Sequence, residues 1–136
     1  DTLDRLFTDT SFDATEQTVV WQSINVEHGC YYCVPAHTAI AHASKVPTAV
    51  TEALRNRTPL PDERLEALRA FTLSLVRRRG AVDEASVELF LKAGFTTRHV
   101  LEILLGIAQK TISNYANHLA QTPVDPEFER FAWQED

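Results

Sequence analysis

The sequence predicts an all-α protein, a single domain over residues 1–136 in which helices joined by short loops pack as an oligomeric bundle. Three observations carry that expectation. Apolar residues recur three and four positions apart over long windows, which is the helical period. No run alternates apolar and polar residues as a half-buried strand does. Only 4 Gly and 6 Pro punctuate 136 residues, and Gly80 and Gly94 fall where helices should stop. With 44% hydrophobic and 24% charged residues, the chain has the balance of a globular protein and the length to bury a sizeable core.

A first helix is expected from Thr15 to about Val26. Glu16 sits in its first turn, where a carboxylate suits the helix dipole, and Val20 and Ile24 share one side. His28 and Gly29 then break it. A second helix should run from near Cys30 through Ala43, because Val34, His37 and Ala41 fit a helix buried on most sides, and Pro35 is tolerated in its first turns. Pro47 suits the first position of a short helix to Arg55, and Thr58, Pro59, Leu60 and Pro61 form a connector.

Asp62 caps the next helix, which carries Leu65, Leu68, Phe71, Thr72 and Leu75 and stops at Gly80. A shorter one follows from Asp83 to Gly94 with Val87, Phe90 and Leu91 inward. The longest begins after Thr96 and runs to about Leu119. Its apolar face, Val100, Leu101, Leu104, Ile107, Ala108, Ile112 and Tyr115, is expected to be buried against several neighbours. After Pro123 and Pro126 the aromatic residues Phe128, Phe131 and Trp133 read as a tail that packs on a surface, that of another subunit included.

The net charge of -6, with basic residues scattered apart from Arg77, Arg78 and Arg79, lacks the footprint of a nucleic-acid binder. The arginine run reads as the solvated end of a helix. No stretch approaches the roughly 20 apolar residues of a membrane span. A soluble, cytoplasmic protein with no nucleic-acid or membrane partner is expected.

The only two cysteines are Cys30 and Cys33, spaced C-x-x-C, and His37 lies four residues after the second. At 3.6 residues per turn, positions 30 and 33 are about 60° apart and 37 falls between them, so on one helix all three share a face. Cys30, at the helix start, should be the more exposed sulfur, its thiolate favoured by unpaired backbone N–H groups. A disulfide closing so small a loop adds little stability and is more plausibly catalytic. Two other readings stand beside the redox one. Cys30, Cys33 and His37, with His28, could supply ligands to zinc in a non-catalytic module. Alternatively the thiols are core residues, or merely sense oxidants. His42 points about 140° from His37 on a helix, and His99 lies near a helix start, so neither reads as a ligand.

The segments TEQTVVWQSINVEHGCYYCVPAHT and GIAQKTISNYANHLA, with glycine-punctuated helices between them, resemble the AhpD-like branch of the carboxymuconolactone decarboxylase family over nearly the whole chain. The resemblance implies an AhpD-like helical bundle assembled as a trimer or hexamer. It further implies an alkylhydroperoxidase-like enzyme of antioxidant defence that needs no metal, haem or flavin. An organic hydroperoxide or a disulfide would be the substrate, and a dithiol or a protein the reductant. By position, Cys33 would attack the peroxide, Cys30 would resolve the sulfenic acid into a disulfide, and His37 would assist proton transfer.

Glu16 would be the relay acid, or else an exposed first-turn carboxylate, and Glu27 is a second candidate. Best-known members carry the acid at the position of Thr18 and a histidine at that of Tyr32. Here Tyr32 reads as an aromatic lining the site, and Tyr31 as exposed or at an interface. Asn114, Asn117 and His118 on the long helix read as structural partners. Family members that decarboxylate a lactone lack the cysteine pair, which argues against that reaction here.

Overall fold

The structure is a computed structural model that describes residues 2–135, and every regular element among them is helical. The helices are α1 (Thr2–Thr8), α2 (Ala14–Glu27), α3 (Cys33–Ala43), α4 (Thr48–Asn56), α5 (Glu63–Arg77), α6 (Glu84–Lys92) and α7 (Thr97–Ala120). A short 3-10 helix, Pro126–Phe131, follows. None of the helices is long and apolar enough to cross a membrane.

α2 is the central element, packed against α3, α4, α5 and α7. Its run from Thr18 to Val26 is buried on all sides, where the sequence suggested a single apolar side. A capping box opens it. The Asp13 side chain accepts from the Glu16 backbone N–H at 2.8 Å, and the Glu16 carboxylate accepts from the Asp13 N–H at 3.0 Å. Asp62 and Asp83 cap α5 and α6 as their sequence positions suggest. Phe71, Phe90 and Phe95 stack between α5, α6 and the start of α7, at centroid separations of 4.4 and 4.6 Å.

α1 was not legible as a helix in the sequence. Its Phe7 is fully buried against Phe12 and Trp21. The α1–α2–α7 junction depends on Gly106, where an added Cβ would lie 2.9 Å from the Phe7 ring and 3.0 Å from Val20. A side chain there would hold the helices apart.

α7 reverses an expectation. The residues it turns inward are Glu102, Ile103, Gly106, Gln109, Lys110 and Asn114, whereas Leu101, Leu104, Ile112, Tyr115 and Leu119 are exposed. Its polar face is thus the one that meets α1, α2 and α3. The aromatic tail packs on its own chain: the 3-10 helix lies against α3, and Trp133 donates to the Arg55 carbonyl at 2.9 Å. Arg77 is paired with Glu27 at 2.9 Å instead of being simply solvated.

Candidate active site

The end of α2 fixes the first cysteine. His28 is its C-cap, and Gly29 takes φ +63, the left-handed conformation that suits glycine. Gly29 N–H donates to Val26 O at 3.1 Å, and Cys30 N–H to Asn25 O at 3.0 Å, the paired bonds of a Schellman motif. Cys30 therefore belongs to the terminus of α2 and precedes α3, which starts only at Cys33. This corrects the expectation of a helix running on from Cys30. The Cys30–Cys33 pair is nonetheless closed as a disulfide, with a Cα–Cα separation of 5.3 Å. Cys30 Sγ also accepts from the Cys33 backbone N–H at 3.1 Å, at the positive end of α3.

Both sulfurs are buried. Cys30 is 0% and Cys33 2% exposed, so Cys30 is not the more exposed of the two. The tail contributes to this cover. Tyr32 donates its hydroxyl to Asp125 at 2.8 Å, and Tyr31 meets the Trp133 ring edge-on. The bond to Asp125 pushes the Tyr32 phenol above its ordinary 10.0. Tyr31 is about half exposed.

α7 supplies the polar wall. Ser113 Oγ lies 3.6 Å from Cys33 Sγ, and Asn117 Nδ2 donates to the same sulfur at 3.4 Å. Lys110 Nζ donates to Ser113 Oγ at 3.3 Å and lies 2.8 Å from His37 Nε2. A continuous chain thus runs from Cys33 through Ser113 and Lys110 to His37, all of it drawn from α3 and α7. Trp21 packs on the His37 ring at 4.9 Å and is itself tied to Gln109 of α7.

Burial sets the charge state of this chain. His37 is held well below its ordinary 6.5, first by desolvation and then by the neighbouring Lys110 charge. Desolvation also pushes Lys110 from 10.5 to about 8, partly offset by Asp4 on α1. A lysine ammonium can only donate, so the neutral imidazole accepts at Nε2 and carries its hydrogen on Nδ1. Nδ1 is buried and has no hydrogen-bond partner among the described residues.

Two cavities meet this cluster. One, of about 450 Å³, is lined by Gly29, Cys30, Tyr31, Tyr32 and the C-terminal turns of α7 from Asn117. The other, of about 530 Å³, is lined by His37, Lys110 and Ser113 together with Asp4, Ile40 and Ile112. Cys33 stands between them, its sulfur touching Asn117 of the first and Ser113 of the second.

Two solved structures share this arrangement of helices, each with a TM-score of 0.80 over 93% of this chain and 70% of its own length. They are a peroxidase-related protein from Silicibacter sp. TM1040, 18% identical, and an alkylhydroperoxidase AhpD-core, peroxidase-related protein from Ralstonia eutropha JMP134, 22% identical. The chain has an AhpD-like fold. No family model matches the sequence, and no curated protein does.

Within the AhpD-like fold the other candidates fall elsewhere. Glu16, read as a relay acid, occupies the first turn of α2. The Cys30 loop follows the last turn of this 14-residue helix, about 20 Å away along its axis. One Glu16 oxygen caps α2 and the other pairs with Arg64, which is why the carboxylate is buried and not exposed. Glu27 is bound to Arg77 on α5. His28 Nδ1 is 3.0 Å from Asn114, which donates to Asn25, which in turn donates to Gln22. This network ties α2 to α7, and Gln22 continues it to the Val34 carbonyl on α3.

His118 Nε2 lies 3.2 Å from the Gly29 carbonyl on the wall of the first cavity. His42 is exposed beside Phe131, and His99 completes the cap of α7 with Thr96.

Sequence reasoning passed over Lys110 and Ser113. A usable signal existed: positions 103, 106, 110 and 114 carry Ile, Gly, Lys and Asn at helical spacing, so a lysine shares a stripe with a small residue and an amide, neither of which marks a solvated face.

Proposed function

We propose that this chain is a thiol-dependent peroxidase, an oxidoreductase that cycles Cys30 and Cys33 between dithiol and disulfide. The observation that carries the reading is the closed Cys30–Cys33 pair set against the buried His37–Lys110–Ser113 cluster. The peroxidase-related proteins of the same fold are consistent with it.

In the reduced enzyme the Cys33 thiolate attacks one peroxide oxygen of an organic hydroperoxide. The O–O bond breaks with its electron pair leaving on the alkoxide, which takes up a proton to give the alcohol, and Cys33 becomes a sulfenic acid. The Cys30 thiolate then attacks the Cys33 sulfur, water leaves, and the disulfide closes. An external dithiol restores the pair by thiol–disulfide exchange. Cys30 is the cysteine of the pair that borders the first cavity, the side from which such a reductant approaches.

His37 assists through Lys110, which joins its Nε2 to the Ser113 hydroxyl beside Cys33. The second cavity is lined by His37 together with Ile40 and Ile112, a lining suited to an organic substrate. The chemistry of these residues calls on no metal, haem or flavin.

The enzyme works as a homo-oligomer, a trimer or hexamer. Leu101, Leu104, Ile112, Tyr115 and Leu119 form an exposed apolar stripe with 3-4 spacing on a helix whose polar face is already committed to the core, and a second copy of α7 matches that stripe.

Turnover of an organic hydroperoxide with a dithiol reductant tests the reading on single-cysteine variants. Cys30→Ser and Cys33→Ser are each expected to abolish turnover while leaving helicity intact. Retained turnover in both would overturn it.

A further inference from the structure

We infer that Lys110, acting through Ser113, is the positioning residue that holds the Cys33 thiolate and returns the proton to the alkoxide leaving group. This inference rests on the peroxidase reading and assigns to a lysine on α7 the part expected of a carboxylate on α2.

Three observations converge on it. Lys110 is 3% exposed, although a lysine is almost never buried without a partner, and its Nζ reaches two polar groups of the site, His37 Nε2 at 2.8 Å and Ser113 Oγ at 3.3 Å. The Ser113 hydroxyl spans the remaining gap to Cys33 Sγ, 3.6 Å away. The acidic residues proposed from sequence are spoken for, Glu16 by Asp13 and Arg64 and Glu27 by Arg77.

The groups facing Lys110 are few. α3 presents neutral His37 and, once reduced, Cys33; α1 presents Asp4; α2 presents the uncharged Trp21 beside His37; and α7 itself presents Ser113. In the disulfide form burial holds the ammonium down at about 8, with Asp4 offsetting part of that cost. Reduction to a thiolate supplies further compensation. By reciprocity the Lys110 ammonium lowers the proton affinity of Cys33 as the thiolate raises that of Lys110.

The proton balance follows. In the ground state Lys110 donates to Ser113 and Ser113 donates to the thiolate. As the O–O bond breaks, the Ser113 hydroxyl proton passes to the alkoxide and is replaced from Lys110, giving alcohol, sulfenic acid and a neutral amine that is reprotonated from solvent. The electrons come from Cys33, and the only oxidant is the hydroperoxide.

The test uses the full chain, with cumene hydroperoxide as the probe, as Lys110→Gln, Ser113→Ala and Ser113→Thr. The ultraviolet absorbance of the Cys33 thiolate is titrated in a Cys30→Ser background between about pH 5 and pH 10. In parallel, the single-turnover rate of thiol loss is followed over the same range. Lys110→Gln is expected to move the thiolate titration up by about one pH unit, to slow oxidation about tenfold to a hundredfold, and to remove the fall in rate that the wild type shows as Lys110 deprotonates at alkaline pH. Ser113→Ala should move all three the same way, and Ser113→Thr, which keeps a hydroxyl, should restore them.

A folded Lys110→Gln with an unchanged thiolate titration and an unchanged rate profile overturns the inference. If Lys110→Gln does not fold, the Ser113 pair decides, and a wild-type titration in Ser113→Ala overturns it equally. Should the wild type lose no thiol to the hydroperoxide, the peroxidase reading fails, while the thiolate titration still decides whether Lys110 governs Cys33.

Discussion

Replacing Lys110 with methionine removes a buried ammonium while keeping the side chain's length and apolar stem. In the disulfide form burial pushes Lys110 from 10.5 to about 8. At ~1.4 kcal/mol for each tenfold change in proton affinity, this amounts to about 3 kcal/mol set against the fold at neutral pH. The sign follows from proton counting. Between about 8 and 10.5 the unfolded chain binds the proton and the folded chain does not, so this group's contribution to stability rises with pH across that window. Below about 8 its full destabilisation is present.

Methionine lifts that destabilisation but leaves His37 Nε2 without its donor, a loss of about 1–2 kcal/mol. Lys110→Met is therefore expected to be more stable than the wild type by about 1–2 kcal/mol at pH 7, raising Tm by about 3–6 °C. Its stability should also lack the wild type's extra rise between about pH 8 and pH 10.5. Thermal and urea unfolding of the oxidised proteins at a series of pH values measures both effects. A variant that melts below the wild type and keeps the same alkaline rise would refute the reasoning.

Glu16→Ala removes the reciprocal half of the α2 capping box and the partner of Arg64, and is expected to lose about 2 kcal/mol in urea unfolding with an unchanged rate of thiol oxidation. A slower enzyme of undiminished stability would return the relay role to that carboxylate. Gly106→Ala gains about 1 kcal/mol of helix propensity but forces the Phe7 ring and Val20 outward at about 1–3 kcal/mol, so a net loss near 1 kcal/mol is expected in the same assay. The double substitution Ile112→Glu, Leu119→Glu charges the exposed stripe of α7 and is expected to yield monomers by sedimentation, with helicity retained. An unchanged assembly would place the subunit interface elsewhere.

The helices from α2 to α7 were legible in the sequence because their signals are local: Asp62, Asp83 and Thr96 stand at N-caps, and Gly80 and Gly94 take the positive φ that closes α5 and α6. The cysteine pair stood out by its spacing, with zinc ligation and plain core packing left open beside the redox reading. Its exact placement was not legible, because the Schellman bonds that assign Cys30 to the end of α2 depend on backbone geometry that C-x-x-C does not specify.

α7 shows where periodicity stops informing. The 3-4 pattern of Leu101, Leu104, Ile112 and Tyr115 identifies an apolar face correctly, yet nothing in it says whether the covering surface lies in the same chain. Assigning that face inward concealed the real inner face, and with it Lys110 and Ser113. Glu16 shows a related limit: a first-turn carboxylate looks the same in sequence whether it serves a sulfur 17 positions on or an arginine 48 positions on. α1 went unseen because seven residues carry too little pattern, and Phe7 is buried only by virtue of α2 and α7.

The most direct measurement is a thiol count on the reduced, metal-free protein before and after one equivalent of an organic hydroperoxide, followed by steady-state consumption with a dithiol reductant. Loss of both thiols of each chain, with formation of the Cys30–Cys33 disulfide and continued turnover once reductant is present, is the expected result. Thiols that survive the hydroperoxide, or that oxidise once without turnover, would contradict the peroxidase assignment.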